Sequence, residues 1–182
     1  GKLNKAKGYD IFGEAIVKIL DKYPDWKSNV FGDEPREKLF YKHKNLKLMG
    51  FREHETVLNN FKKSSITVVC SRWQEPFGRT SLEASSRGCA VIISNRGGLP
   101  ETVTNAIILK KLNQNSLYKE LSNLIENNKK RLKLQKSSLI NFYLTNKFVS
   151  RQIDSYRSSL IQKKKESAKT KKTKFKILHI TN

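Results

Sequence analysis

The sequence predicts an α/β fold: a doubly wound parallel sheet with helices on both faces. Three observations carry this expectation. Short unbroken apolar runs, "SITVVCS" and "CAVIIS", have the length and β-branched content of strands buried on both sides. Segments of helical period alternate with them. Several runs close on glycine, as loops at the carboxyl edge of such a sheet often do. A chain of 182 residues with 37% hydrophobic content can bury one sizeable core.

The elements follow in order. "GKLNKAKGYD" is a glycine-containing loop that leads into a helix, "YDIFGEAIVKILDKYP". Ile11, Phe12, Ala15, Ile16, Ile19 and Leu20 share one face of that helix, and Pro24 stops it. "WKSNVFG" is a short strand, "REKLFYKH" a short helix, and "NLKLMG" a strand ending at Gly50. "HETVLNNFKKS" is helical with Val57, Leu58 and Phe61 inward. "SITVVCS" is a strand, "GRTSLEASSRG" a helix closed by Gly88, and "CAVIIS" another strand. From Ser116 the sequence reads as helix, with Leu117, Leu121, Leu124 and Ile125 in one stripe. Phe148, Ile153, Tyr156 and Leu160 form another stripe.

The charge balance is strongly basic, 37 Lys plus Arg against 16 Asp plus Glu, or +21. Such a surface favours anionic partners: phosphorylated small molecules, nucleic acid or an anionic membrane. The lysines concentrate in "KKKESAKTKKTKFK" and on helix exteriors, without the interleaved aromatics of a nucleic-acid module. Cys70 and Cys89 sit beside apolar runs and read as core thiols of a reducing compartment. Three scattered histidines have no metal-ligand spacing. No run has the length of a membrane span, so a cytoplasmic chain is expected, peripheral on a membrane at most.

Chemistry concentrates in "RWQEPFGRTSLE", the expected loop between a strand and the next helix. Gly78 lets the backbone approach a ligand, and the amides of Gly78, Arg79 and Thr80 open the helix where an anion is favoured. Glu75 in the loop and Glu83 one turn into the helix can face one cleft. Each carboxylate accepts from adjacent hydroxyls. The set fits a ligand of hydroxyl-rich rings joined by phosphate, as in a nucleotide sugar. The spacing equally allows Glu83 to pair with Arg79 at i, i+4, with Glu75 merely exposed.

The motif "EPFGRTSLE" resembles the E-x7-E signature of retaining glycosyltransferases of the GT-B fold, specifically the family 4 group of bacterial lipopolysaccharide and capsule enzymes. "GKLNKAKGYDIF" resembles that family's Gly-Arg-Leu loop, "GDEP" its Gly-Asp-Gly-Pro turn, and "GCAVIISNRGGLPE" its Gly-x-Pro-Glu region. The resemblance implies a Rossmann-like donor-binding half, and a hexosyl transfer with retention in cell-envelope glycan synthesis. It implies that Lys2 and Lys7 hold the donor diphosphate and that Glu75 accepts from the transferred sugar. Phe77, Gly78, Arg79 and Thr80 would line that pocket, Glu83 would take the ribose hydroxyls, and backbone near Gly50 and Arg52 would meet the base. No metal or other cofactor is expected. The acceptor, a glycan or lipid-linked, would bind a second half preceding this one. A donor half kept as a non-catalytic scaffold is the alternative, a nucleic-acid module the lesser one.

The same resemblance places the donor domain at 1–162, with its first strand missing. A lysine-rich linker follows at 163–174, and then the opening strand of another such domain at 175–182. That terminal strand, Phe175 to Ile180, could take the central place in the sheet.

Overall fold

A computed structural model describes residues 1–174. The terminal strand expected at 175–182, with its suggested central place in the sheet, lies outside the described residues. The chain divides into two compact units, the first being Gly1–Phe142 and the second beginning at Tyr143.

The first unit is a parallel α/β structure. Helix α1 (Tyr9–Lys22) leads to β1 (Ser28–Phe31) and β2 (Leu46–Gly50), then α2 (His54–Lys62) and β3 (Ile66–Val69). Helix α3 (Arg79–Ser85), β4 (Ala90–Ser94), a 3₁₀ turn at Leu99–Thr102 and β5 (Ala106–Leu109) follow. Helices α4 (Gln114–Glu126) and α5 (Asn128–Ile140) complete the unit. β1 pairs with β2, and β3, β4 and β5 pair in that order; every pairing is parallel. The expected doubly wound architecture, helices covering both faces, is the observed one.

β4 shows why the fold holds. All five of its residues are buried, and alternation sends them to opposite layers. Ala90 and Ile92 join Ala15, Ile19 and Leu20 of α1 and Leu117, Leu121 and Leu124 of α4. Val91 and Ile93 join Phe61 of α2, Ala84 of α3 and Leu99. The inward faces expected for α1, α2 and α4 are therefore those that pack, with Phe12, Val57, Leu58 and Ile125 at the margins.

Two expectations fail. Arg36–His43 is a turn followed by extended chain, not a helix. Its burial alternates residue by residue, Glu37, Leu39, Tyr41 and His43 turning in and Lys38, Phe40, Lys42 and Lys44 out. Tertiary contacts decide it: the Tyr41 ring sits edge-on to Tyr9 at 5.6 Å, where Gly13 leaves room for it. His43 reaches Asp21 at 3.3 Å. The continuous helix expected from Ser116 is also interrupted. Asn127 ends α4, and its side chain caps α5 by accepting from the Lys130 amide at 2.9 Å.

Among the described residues the second unit holds one helix, α6 (Asn146–Lys174). It runs through 163–174, where a linker was expected, because the segment holds no glycine or proline and lysine is a good helix former. Its Ile153, Tyr156 and Leu160 are exposed.

Candidate functional site

The carboxyl ends of the parallel strands gather three loops at one place. The first, residues 1–8, precedes α1 and is held by a bond of its own and by contacts from outside. Asn4 accepts from the Lys7 amide at 3.0 Å and reaches Glu34 at 3.4 Å, and the Lys5 amide donates to Glu37 at 3.1 Å. Arg72 grips Asp10 with both guanidinium nitrogens, at 2.6 and 2.7 Å, and also donates to the Lys5 carbonyl. Burial alone would raise the Asp10 carboxyl, but the Arg72 fork outweighs it and holds the group below the usual carboxylate range. The Arg72 and Trp73 amides both donate to Ala6 O, at 2.9 and 3.1 Å. Glu34, buried at 8% exposure, is held low chiefly by its hydrogen bonds from Arg36.

The second loop, residues 71–78, carries Glu75. The Lys7 ammonium donates to Glu75 Oε1 at 2.6 Å, with the carboxylate side chain 15% exposed and the lysine 37%. The third loop, residues 95–98, presses on the backbone of the second. The Gly98 amide donates to Glu75 O at 2.7 Å, and the Gly97 amide donates to the Gln74 side chain at 2.6 Å. Gly97 has φ +53°, and a Cβ there would lie 2.3 Å from Glu75 O. Only glycine permits that approach.

Gly78, with φ +77°, turns the chain into α3, whose first turn has no side-chain cap. Its early amides are thus open donors. Glu83 lies on that helix with its Oε1 shared between His54 Nε2 at 2.9 Å and Arg79 at 3.3 Å. The i, i+4 pairing with Arg79 is therefore present, while Glu75 is not merely exposed but ion-paired.

Of the ten residues expected at the site, eight line one cavity: Lys2, Lys7, Glu75, Phe77, Gly78, Arg79, Thr80 and Glu83. Gly50 and Arg52 do not line it; they end β2 and begin the next loop, beside the exposed ring of Phe51. His54, Asp10, Arg72 and Glu34 escaped sequence reasoning. Arg72 and Asp10 stand 62 positions apart, and His54 is a lone histidine at a helix start, so no local spacing could mark them. Among the described residues no group of three or more His, Cys, Asp or Glu could hold a metal ion.

With this arrangement in view, comparison with known proteins is decisive for the family. The model of the family described as glycosyl transferases group 1 matches residues 1–138. The chain belongs to this family. Spore coat protein SA of Bacillus subtilis is 31% identical over 156 residues, covering 76% of this chain and 41% of that protein. The lipopolysaccharide core biosynthesis mannosyltransferase LpsB of Rhizobium meliloti is 27% identical over 114 residues, covering 57% and 32%. This group 1 glycosyl transferase chain thus spans well under half the length of both relatives. Among solved structures, the C-terminal domain of a group 1 glycosyl transferase (LpcC) of Francisella tularensis aligns with TM-score 0.69 and 29% identity, over 76% of this chain and 79% of that one. Anabaena HepE in complex with UDP-glucose aligns with TM-score 0.72 and 21% identity, over 87% and 47%, a likeness of fold.

Proposed function

We propose that this chain is the donor-binding half of a retaining hexosyltransferase that takes a nucleotide sugar and builds a cell-envelope glycan such as lipopolysaccharide or capsule. One observation carries the reading. Glu75, paired with Lys7 at 2.6 Å, and Glu83 line the same cavity as the open start of α3. That cavity offers cations and amides for a diphosphate and two carboxylates for sugar hydroxyls.

An ammonium has three N–H groups, and Glu75 occupies one of them on Lys7. The others remain for the leaving diphosphate, so the pair joins the phosphate site to the sugar site. Lys2 adds a second cation, a compact charge without the bidentate grip of arginine. Together they meet the charge that develops on the diphosphate, and no metal ion is called for. Glu75 orients the sugar by accepting from its hydroxyls, Glu83 accepts from the ribose, and the β2 end at Gly50 and Arg52 faces the base. Reaction on the leaving-group face of the anomeric carbon would retain configuration without a covalent protein nucleophile. HepE, similar in fold, holds UDP-glucose, which supports a nucleotide-sugar donor. The acceptor, a glycan or lipid-linked, would come from a second half, in the cytoplasm or against the inner membrane face.

Calorimetric titration of the chain with UDP-, GDP- and ADP-sugars tests the reading. One nucleotide series should bind, and Glu83→Ala and Glu75→Ala should each weaken it by about tenfold or more, the loss of roughly one charge-assisted hydrogen bond. Normal donor binding by both variants would sink it.

A further inference from the structure

We propose that Arg72 is a positioning residue for the donor diphosphate: its fork on Asp10 fastens the first loop to the second and so fixes where the Lys7 ammonium stands. This role rests on the donor reading and deepens it, because Arg72 acts on the donor only through Lys7.

Lys7 and Glu75 are 68 positions apart, so their contact depends on the joint between their loops. Three carbonyls around Lys7 accept across that joint. Ala6 O takes the Arg72 and Trp73 amides at 2.9 and 3.1 Å and the Ser71 hydroxyl at 3.4 Å. Gly8 O takes the Cys70 thiol at 3.2 Å. Lys5 O takes the Arg72 guanidinium at 2.5 Å. The backbone of Lys7 is therefore framed on both sides. A lysine side chain is a flexible four-carbon stem, and anchoring its backbone is one way to place its charge.

Most of these bonds come from main chain or small side chains; the Arg72 side chain adds what they lack. One planar guanidinium holds Lys5 O before Lys7 and both Asp10 oxygens after it, at 2.6 and 2.7 Å. The Asp10 side chain is only 19% exposed, which shelters the pair from water. Neither Arg72 nor Asp10 lines the donor cavity, whereas Lys7 and Glu75 both do. Arg72 is thus a cation committed to a carboxylate, and its influence on a phosphate must pass through the loop. Lysine at this position would keep the charge and lose the fork.

Titration of the 182-residue chain with UDP and UMP, and with the guanosine and adenosine pairs, tests this. The ratio of diphosphate to monophosphate affinity reads the grip on the second phosphate. Arg72→Lys should lower that ratio about tenfold or more, as should Lys7→Ala. Combining the two should lower it no further than Lys7→Ala alone, since one residue acts through the other. A merely structural Arg72 would weaken both ligands alike and leave the ratio unmoved, and that result, or additive losses, would overturn the proposal. Asp10→Asn removes the other half of the fork and should repeat the Arg72→Lys result; loss of folding in both variants would also overturn it. A second readout needs no nucleotide: reductive methylation of Lys7, with exposed Lys18 as internal reference. Arg72→Lys should speed it about two- to fivefold, the worth of a partly exposed ion pair. An unchanged Lys7 rate would overturn the clamp. A parent chain that binds no nucleotide would instead overturn the donor reading, and the diphosphate role of Arg72 with it, whatever the Lys7 rate.

Discussion

Replacing Gly97 by alanine should damage this protein far more than the same change at Gly88, although both glycines have left-handed backbones. At Gly88, with φ +76°, an added Cβ finds its nearest neighbour at 3.9 Å. The cost there is conformational alone, about 1–2 kcal/mol for an L residue in the left-handed region. At Gly97 the same strain applies, but the Cβ would lie 2.3 Å from Glu75 O and 2.6 Å from Glu75 N. Even the tightest approach real Cβ atoms make, 3.0 Å, requires backbone to yield by 0.7 Å. That shift also breaks the Gly98-to-Glu75 hydrogen bond of 2.7 Å, worth about 0.5–1.5 kcal/mol. Together these costs put Gly97→Ala at roughly 1.5–3.5 kcal/mol. Urea unfolding followed by circular dichroism measures both variants against the parent. Donor titration adds a second axis, since a displacement near 1 Å can cost about a hundredfold at a reacting centre. Gly97→Ala should weaken donor binding and Gly88→Ala should not. Equal stability losses for the two variants would refute the argument that contact with Glu75, and not backbone angle, fixes glycine at 97.

Three further outcomes follow from the same structure. The Asp10 carboxyl, held low by Arg72 against the opposing effect of burial, contributes stability that is present above its unfolded value of about 3.9. That contribution is lost as pH falls through the lower folded value. Asp10→Asn should accordingly flatten the acid limb of urea midpoints taken from neutrality downward; an unchanged slope would contradict it. Burial pushes the Cys70 thiol up to about 12 and raises that of Cys89 as well. Neither should react with iodoacetamide at mildly alkaline pH until the chain unfolds, and rapid labelling of folded protein would show the core to be open. Leu99→Ala, at a side chain with no exposure in the α2–α3 layer, should cost about 2–5 kcal/mol in thermal unfolding. A loss below 1 kcal/mol would mean that the layer collapses around the gap.

The parts of the fold legible in the sequence were those where one physical signal dominates. β3 and β4 announce themselves through unbroken Val/Ile runs, and α1 through a clear apolar stripe. Arg36–His43 misled because Leu39, Phe40 and Tyr41 are adjacent and no turn residue divides them. The period-two pattern emerges only once Tyr41 meets Tyr9 and His43 meets Asp21. β5 went unnoticed since "AIIL" is short and borders polar loops; its place is decided by pairing with β4. At the site, Glu75 and Glu83 could be found because they share a local motif. The Arg72–Asp10 clamp could not, since it joins residues that only the tertiary fold makes neighbours.

The fully buried strand β4 has a bearing on how this chain can vary. Each of its residues answers to a different set of neighbours from the one beside it. Ala90 and Ile92 are tied to α1 and α4, and Val91 and Ile93 to α2 and α3. Compensating substitutions should therefore interleave along the strand, even positions co-varying with one helical layer and odd positions with the other. A one-residue insertion in β4 would exchange the two vocabularies at a stroke, so length in this strand is more tightly constrained than identity.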